Sequence, residues 1–575
     1  MYTVIDIETN GLEINADINL VGIHTFKDVK DEGNYEIYEL PKEKESCVER
    51  LRKIDGFIGH NAKFDSKLIK YSLGVDLKIK HDTMYLCYAC SGVHDMIYKR
   101  GKWFSLKDAA KRELNVDDWD VDLKTKTAIS KESKEYLKKD LLYTRRLFEK
   151  YKEEIDKDDE PSYQLMIKAA NVYRDIESNG MPIDLKKLKE IRSLYNVKKH
   201  EVDWKLKDHA DINYNSSKQL IDLLYNKLKL PITKKTPKGK PSTGVDALVE
   251  LQGKHDIIDL ILEKRNIEKA LTFLNDWEDR AFNDRIYGNF NLHTTVTGRT
   301  SSNGPNIQQV PRNKELKSLF NSKEGWNFVQ IDYSQVELRV AAAVAGVTNM
   351  IDSYIHGEDL HTKMAKIVTG KDEIDKKDRT GAKAANFGYL YGMIAKSFVE
   401  YAKATYGVEM TLLEATRIRD SFFSTNKELL GYYKRVGKEL TSNGYITNIF
   451  GRRYKVGFNH MYIPKDRMDY TRKGINFTVQ SAASDYVIMG LIEVHHKYQK
   501  SDNVKIIGTV HDSILFEIKD DDRFKETLVD IKRIMEKPYL LNKYLTIGGK
   551  LKEFPLPIVV DIEVGPWGDS KEVNV

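Results

Sequence analysis

The sequence has little of what a secreted or membrane protein needs. Three cysteines in 575 residues cannot build a disulfide framework, which fits a reducing compartment. Cys87 and Cys90 form one CxxC, but no second pair follows, so a zinc reading lacks half its ligands. The longest apolar run, Val340–Val347, falls far short of the roughly 20 residues that cross a bilayer. No basic-then-apolar leader opens the chain. These absences exclude the membrane and secreted classes and point to a cytoplasmic protein with no membrane partner. Net charge is also low: 93 basic against 87 acidic side chains leave +6, so the chain as a whole is no polycation. What is present, 41% hydrophobic and 31% charged residues, gives a soluble globular protein with a sizeable core. Its length predicts three or four domains.

Residues 1–152 read as a mixed α/β unit. Strand-like runs at Tyr2–Ile7, Leu20–Phe26 and Tyr35–Leu40 precede a short one at Gly56–Gly59, a helical pattern from Phe64 and a longer helix over Lys131–Lys150. Residues 153–161, acidic and ending in Pro161, read as a linker. From Ser162 to Trp277 the pattern is helical, with a stop at Asn179-Gly180, an N-cap at Asp184 and a capping-box spacing at Ser216 and Gln219. Between Lys186 and Lys240, fifteen basic and six acidic residues give a local +9, more than the chain's total. Charge is therefore concentrated, and this segment, with its loop of Lys234, Lys235, Lys238 and Lys240, is the footprint for a polyanion. Further on, Trp326–Ile331 reads as a buried strand, Leu360–Gly444 as mostly helical and Met468–Lys497 as one long helix. Lys505–Val510 and Ser513–Ile518 form a hairpin turning at His511-Asp512.

Two sets of residues carry chemistry. Asp6 and Glu8 share a face of the first strand; Asn61 and Asp65 lie where a strand meets a helix, and Tyr136 and Asp140 are four apart on one helical face. Convergence of four acids without basic partners would be repulsive, and divalent cations relieve it. In the C-terminal part, Asp332 ends one strand and Asp512 sits in the hairpin turn. Between them Arg379, Lys383, Phe387 and Tyr391 recur every four residues, spanning about 120° of one helical face. Two cations toward a helix N-terminus suit a triphosphate, and the aromatic pair offers a surface for a base. Gly381, Gly388 and Gly392 in the same region predict close approach of something bulky.

These segments resemble known families. Asp6-Ile-Glu8-Thr9, Asn61-Ala-Lys-Phe64-Asp65 and Tyr136-Leu-Lys-Lys-Asp140 are similar to the three motifs of DEDDy 3′–5′ exonucleases. The resemblance implies an RNase H-like domain with metal ligation by Asp6, Glu8, Asp65 and Asp140 and a water oriented by Tyr136. Asp332-Tyr-Ser-Gln-Val-Glu337, Arg379-Thr-Gly-Ala-Lys383 through Phe387 to Tyr391-Gly392, and Val510-His511-Asp512 resemble motifs A, B and C of the family A DNA polymerases, and the likeness runs over essentially the entire chain. It implies an α/β multidomain protein, an exonuclease domain followed by a right-hand polymerase: thumb from 162 to 290, palm 291–350, fingers 351–466, palm again 467–575.

The implied chemistry is template-directed DNA synthesis with proofreading. Two Mg²⁺ ions at each centre (Mn²⁺ the alternative) are held by Asp332, Asp512 and Tyr333 in one and by the four exonuclease acids in the other. Arg379, Lys383 and His361 contact the triphosphate, with Lys383 also placed to protonate the leaving group. Phe387 packs on the sugar and base, Tyr391 lies by the templating position, Glu337 blocks a 2′-hydroxyl, and Gln335 joins the nucleotide site. Arg299, Asn306, Gln308, Arg472, Asn476, Gln480 and His511 face the DNA. The implied partners are primer-template DNA, dNTPs and a single-stranded 3′ end in the exonuclease site; the implied state is a monomer, with the processivity factor unspecified. The usual acid after the motif C aspartate is replaced by Ser513, with Glu517 expected nearby. With no 5′-nuclease segment ahead of the exonuclease, flap removal is not expected, and the organisation resembles phage replicative polymerases. A repair polymerase, or a nuclease with a non-catalytic DNA-binding C-terminal region, are the alternatives.

Overall fold

The computed structural model describes residues 1–92 and 102–575. The N-terminal strands are β1 (Tyr2–Thr9), β2 (Ile18–Phe26), β3 (Asn34–Glu39), β4 (Phe57–Gly59) and β5 (Ile79–Asp82), in the order β3-β2-β1-β4-β5. β1 is antiparallel to β2 and parallel to β4, so the sheet is mixed. Helix Lys131–Glu154 crosses this sheet. It approaches β2 closely because Gly22 has no side chain: a Cβ there would lie 2.9 Å from Leu137. Arg145 on the same helix donates to the Asp28, Asp31 and Glu32 carbonyls, closing the β2–β3 loop over it. These contacts set the height at which Tyr136 and Asp140 stand above β1.

The expected linker is shorter than its acidic composition indicates. Helix Lys131–Glu154 is followed by helix Glu160–Asn179, leaving only 155–159 between them. Pro161 sits in the first turn of the second helix, where a missing N–H breaks no hydrogen bond. The connection is also anchored: Asp156 pairs with Arg453 at 2.9 Å and Asp159 with Lys455 at 2.6 Å. In the basic segment, helices Leu185–His209 and Asp256–Arg280 share an apolar core that includes Leu188, Ile191, Ile261 and Trp277. The capping box at Ser216 is half formed: Ser216 accepts from the Gln219 N–H, but the Gln219 side chain accepts from Asn213 instead.

The C-terminal sheet is antiparallel and consists of β6 (Trp326–Tyr333), β7 (Val504–Val510), β8 (Ser513–Lys519), β9 (Val560–Val564) and β10 (Lys571–Glu572), in the order β7-β8-β6-β9-β10. β6 is central, paired with β8 over Trp326–Asp332 and with β9 over Val329–Tyr333; β7 and β8 join through the two-residue turn His511-Asp512, and Val510 pairs with Ser513. The long helix begins at Pro464, earlier than expected because proline is favoured in a first turn, and ends at Tyr498. It packs beneath β6 with Gly490 facing the Tyr333 phenol. The segment 360–443 is helical as predicted, and among the described residues no helix is long and apolar enough to cross a membrane.

Candidate active sites

In the N-terminal sheet, alternation along β1 carries Asp6 and Glu8 to one face, and helix Lys131–Glu154 brings Asp140 over them. Ligand oxygens of these three residues lie within 4.8 Å of one another. Asp65 stands beside Asp6 but outside that trio, its Oδ1 accepting the Ile7 N–H at 3.1 Å. Burial raises the Asp6 carboxyl well above its ordinary range, and Asp65, Asp140 and Glu8 raise it further. Burial, then Asp140, Glu8 and Asp6, push the Tyr136 phenol up, so it stays protonated.

Sequence reasoning missed three members of this cluster. Lys107 donates to both Asp140 oxygens at 2.8 and 2.9 Å and lies 2.5 Å from the Tyr136 hydroxyl. Trp119 donates its indole N–H to Asp140 at 2.5 Å. Asp82, wholly buried, accepts the N–H groups of Asn61, Ala62 and Met84, fixing the start of the helix that carries Asp65. Lys and Asp are common at surfaces and caps, and a Trp is ordinary in a core, so only convergence in space reveals these three. Hard carboxylate oxygens around one point suit Mg²⁺ or Mn²⁺, and Lys107 supplies part of the same compensation from the chain itself. Substituting Lys107 with Met is expected to lower the melting temperature in EDTA and to enlarge the rise that Mg²⁺ produces. Melting curves that match wild type in both conditions would contradict this.

At the C-terminal sheet, Asp332 in β6 is directly opposite Ser513 in β8, so Asp512 in the adjacent turn is brought to it. The Ser513 hydroxyl donates to Asp332. Burial, then Asp512, Asp561 and Glu563, push the Asp332 carboxyl up to about 6 against that hydrogen bond. Burial also raises Asp512, opposed by Arg299 and His511. The Tyr333 side chain is 2% exposed and donates to the Met535 carbonyl at 3.0 Å, so the expected ligation by this residue is restricted to its backbone. Glu517 does not serve the site: it lies four residues along β8 from Ser513, about 13 Å, is buried, and pairs with Arg285 at 2.5 Å. Because the native Asp332 binds its proton more tightly than the unfolded chain does, its contribution to metal-free stability falls as pH rises from about 4 to 6. Protons and cations compete for the same oxygens, so the Mg²⁺ needed for half-maximal extension is expected to rise steeply below pH 6. A metal requirement independent of pH between 5 and 8 would refute this.

Arg299 joins the acids across the cleft. It pairs with Glu337 and lies 3.9 Å from Asp512, while the Tyr391 hydroxyl donates to Glu337 at 2.6 Å. Arg379, Lys383 and Phe387 lie on helix Lys376–Leu390, but Tyr391 is just beyond its end, a correction to the four-residue face. Gly392 turns the chain with φ +72°, and a Cβ on Gly388 would meet Phe398 at 2.9 Å, so these two glycines serve a turn and internal packing. A Cβ on Gly381 would meet only Val408, at 3.9 Å. Arg379 is exposed and paired with Asp359 at 2.6 Å; the arginine, Thr362 and the His361 N–H bring the Asp359 carboxyl down to about 2 despite its burial. Lys383 is exposed, with no ion-pair partner among the described residues. His361 departs from expectation: it is 2% exposed, its Nδ1 is 2.9 Å from the Asn386 amide, and burial lowers its pKa to about 4. A buried neutral imidazole is not presented to a phosphate. Gln335 has φ 52° at the start of helix Val336–Ala345 and accepts from Tyr354 at 3.1 Å.

Four of the seven residues expected at DNA, Arg299, Asn306, Gln308 and His511, line one cleft, and Arg472, Asn476 and Gln480 do not. Ser484 and Asp512 line it as well. Asn306 spends its side-chain oxygen on the Gln308 N–H at 3.1 Å, and the Gln308 amide donates to Thr300 at 2.8 Å. Arg472, Asn476, Gln480 and Ser484 recur every four residues along the Pro464–Tyr498 helix toward that cleft, and Ser484 donates to the Gly298 carbonyl at 3.0 Å. Beneath it, Arg452 and Asp485 form a buried ion pair at 2.6 Å.

Residues 185–569 match DNA polymerase family A. The chain is 30% identical to DNA polymerase I of Aquifex aeolicus over 97% of its own length and 94% of that protein's. It is 30% identical to DNA polymerase I of Bacillus subtilis over 76% of itself, spanning 49% of that relative. It is 26% identical to the DNA polymerase of Bacillus phage SP01 over 90% of itself, spanning 63% of that relative. Among solved structures, the polymerase domain of Pol1 from M. smegmatis, in complex with DNA primer-template and dNTP, superposes with a TM-score of 0.82, covering 99% of this chain and 96% of that one at 22% identity. The fold is thus shared over nearly the full length, and the chain belongs to DNA polymerase family A as a DNA-directed DNA polymerase.

Proposed function

We propose that this polymerase builds and trims DNA at two separate carboxylate centres and that it acts in replication. The observation that supports this is the presence of two acid clusters on two different sheets: Asp332 with Asp512 in the C-terminal one, and Asp6, Glu8 and Asp140 in the N-terminal one. Divalent ions at these centres would lower the pKa of an attacking hydroxyl or water and neutralise charge on the phosphate in transit. The chain's own residues do the rest. Arg379 and Lys383, exposed on one helix face, bind the triphosphate once Arg379 leaves Asp359, and Lys383 protonates the pyrophosphate leaving group. Glu337, held by Arg299 and Tyr391, stands where it blocks a ribose 2′-hydroxyl. Arg299, Gln308 and Gln480 read minor-groove acceptors, which are nearly alike for every correct pair, so binding is independent of sequence. The lysine-rich helices 185–280 grip phosphates with salt-dependent affinity. In the other centre, Tyr136 stays protonated and orients the attacking water.

The likeness to a phage DNA polymerase favours a replicative role in a host cytoplasm, and we take the protein to act as a monomer. A 5′-labelled primer ending in a mismatch tests the paired activities. It should shorten stepwise from its 3′ end with Mg²⁺ alone, and with dNTPs it should lose the mismatch before it grows. Growth without prior trimming would leave only the synthetic half. Nucleotide selection offers a second check: Phe387 has no hydroxyl to replace a missing 3′-hydroxyl, so dideoxynucleotides should be poor substrates. Phe387→Tyr should improve their use by about tenfold, the worth of one hydrogen bond. Equal use of both nucleotide types by wild type would contradict that assignment.

A further inference from the structure

Asp332 has two immediate neighbours on its own face of the sheet, because directly opposed residues of antiparallel strands point the same way. On the β8 side that neighbour is Ser513, a neutral hydroxyl that donates to Asp332. On the β9 side it is Asp561. Opposed Cβ atoms on neighbouring strands are about 5 Å apart; the ligand oxygens of Asp332, Asp512 and Asp561 do not all lie within 4.8 Å of one another, a gap that a carboxylate rotation or a bound water spans. Asp561 is exposed, and no ion pair engages it among the described residues. The other acids nearby are otherwise employed: Glu517 is paired with Arg285 farther along β8, and Glu563 accepts from Ser570 at 2.6 Å. The position after Asp512, where a further acid is expected, therefore offers only Ser513, while the opposite flank of Asp332 offers a free carboxylate.

We propose that Asp561 is the third carboxylate of the synthetic centre, supplying from β9 the negative charge that Ser513 does not supply from β8. It would bind through an oxygen or through a water of the ion that Asp332 and Asp512 hold, so it adds to cation affinity without replacing either ligand. Sequence alone hides this role, since Val560–Val564 is a short alternating strand more than 200 residues from Asp332.

The test is an Mn²⁺ titration of the DNA-free protein, read by the resonance of the free ion, in an Asp6→Ala background that weakens the other cluster. Asp561→Asn should bind Mn²⁺ at the synthetic centre about tenfold more weakly, the low end of the effect of groups that support a metal from outside its primary ligands. In the same variant the Mg²⁺ needed for half-maximal extension should rise by a similar factor. Asp561→Glu, or Ser513→Asp combined with Asp561→Asn, should restore binding, because either returns a negative charge beside Asp332. Superimposable titrations of Asp561→Asn and its parent would overturn the proposal. So would a weakening that neither restoring variant relieves, since that would be damage to the sheet rather than loss of a ligand.

Discussion

Asp332→Asn should reduce primer extension by about a thousandfold or more while leaving 3′–5′ trimming at its wild-type rate. The loss follows from the site's charge: an amide keeps the shape and can still accept from Ser513, so β6 and its two ladders persist. What disappears is one of the two principal oxygen donors to the cation, and removing several kcal/mol of charge stabilisation from phosphoryl transfer costs at least three powers of ten. Trimming is spared because its acids stand on another sheet, ordered β3-β2-β1-β4-β5. Gel analysis of a labelled primer with and without dNTPs measures both. Loss of both activities would indicate a damaged fold or a shared centre.

The second large effect is its mirror. Asp6→Ala should abolish trimming, again by about a thousandfold, and leave extension untouched. It should also raise misincorporation, because mismatched ends would be extended instead of removed. Here the fold has reason to survive. Burial, then Asp65, Asp140 and Glu8, hold the Asp6 carboxyl well above its ordinary range, so deleting it removes an unfavourably placed group from the metal-free protein. The melting temperature in EDTA should be unchanged or raised. A variant that trims normally would remove Asp6 from the chemistry; one that melts much lower than wild type would give it a structural task instead.

Much of both centres was legible in the sequence because strand and hairpin rules act over short distances. Period-two alternation puts Asp6 and Glu8 on one face, and the two-residue turn fixes Asp512 beside the end of β6. Helical spacing likewise gave Arg379, Lys383 and Phe387 a common face, but it could not show that the helix stops at Leu390 and leaves Tyr391 to a different geometry. Lys107 and Asp561 were invisible for another reason. Each is an ordinary surface residue type in its local segment, and each gains meaning only from a partner brought up by tertiary packing: Asp140 for the first, Asp332 for the second. Pro161 and Gly388 show the converse error, where a residue that commonly marks a break serves a helix start or a close contact with Phe398. His361 illustrates the limit of carrying a role over by position, since burial beside Asn386 decides what its ring can touch.

The most direct test of two separate cation-holding centres is anomalous scattering from crystals of the primer-template complex grown with Mn²⁺. Peaks between Asp332 and Asp512, and a second group among Asp6, Glu8 and Asp140, are the expected result. No density between Asp332 and Asp512, or one shared set of ions serving both acid clusters, would contradict the account.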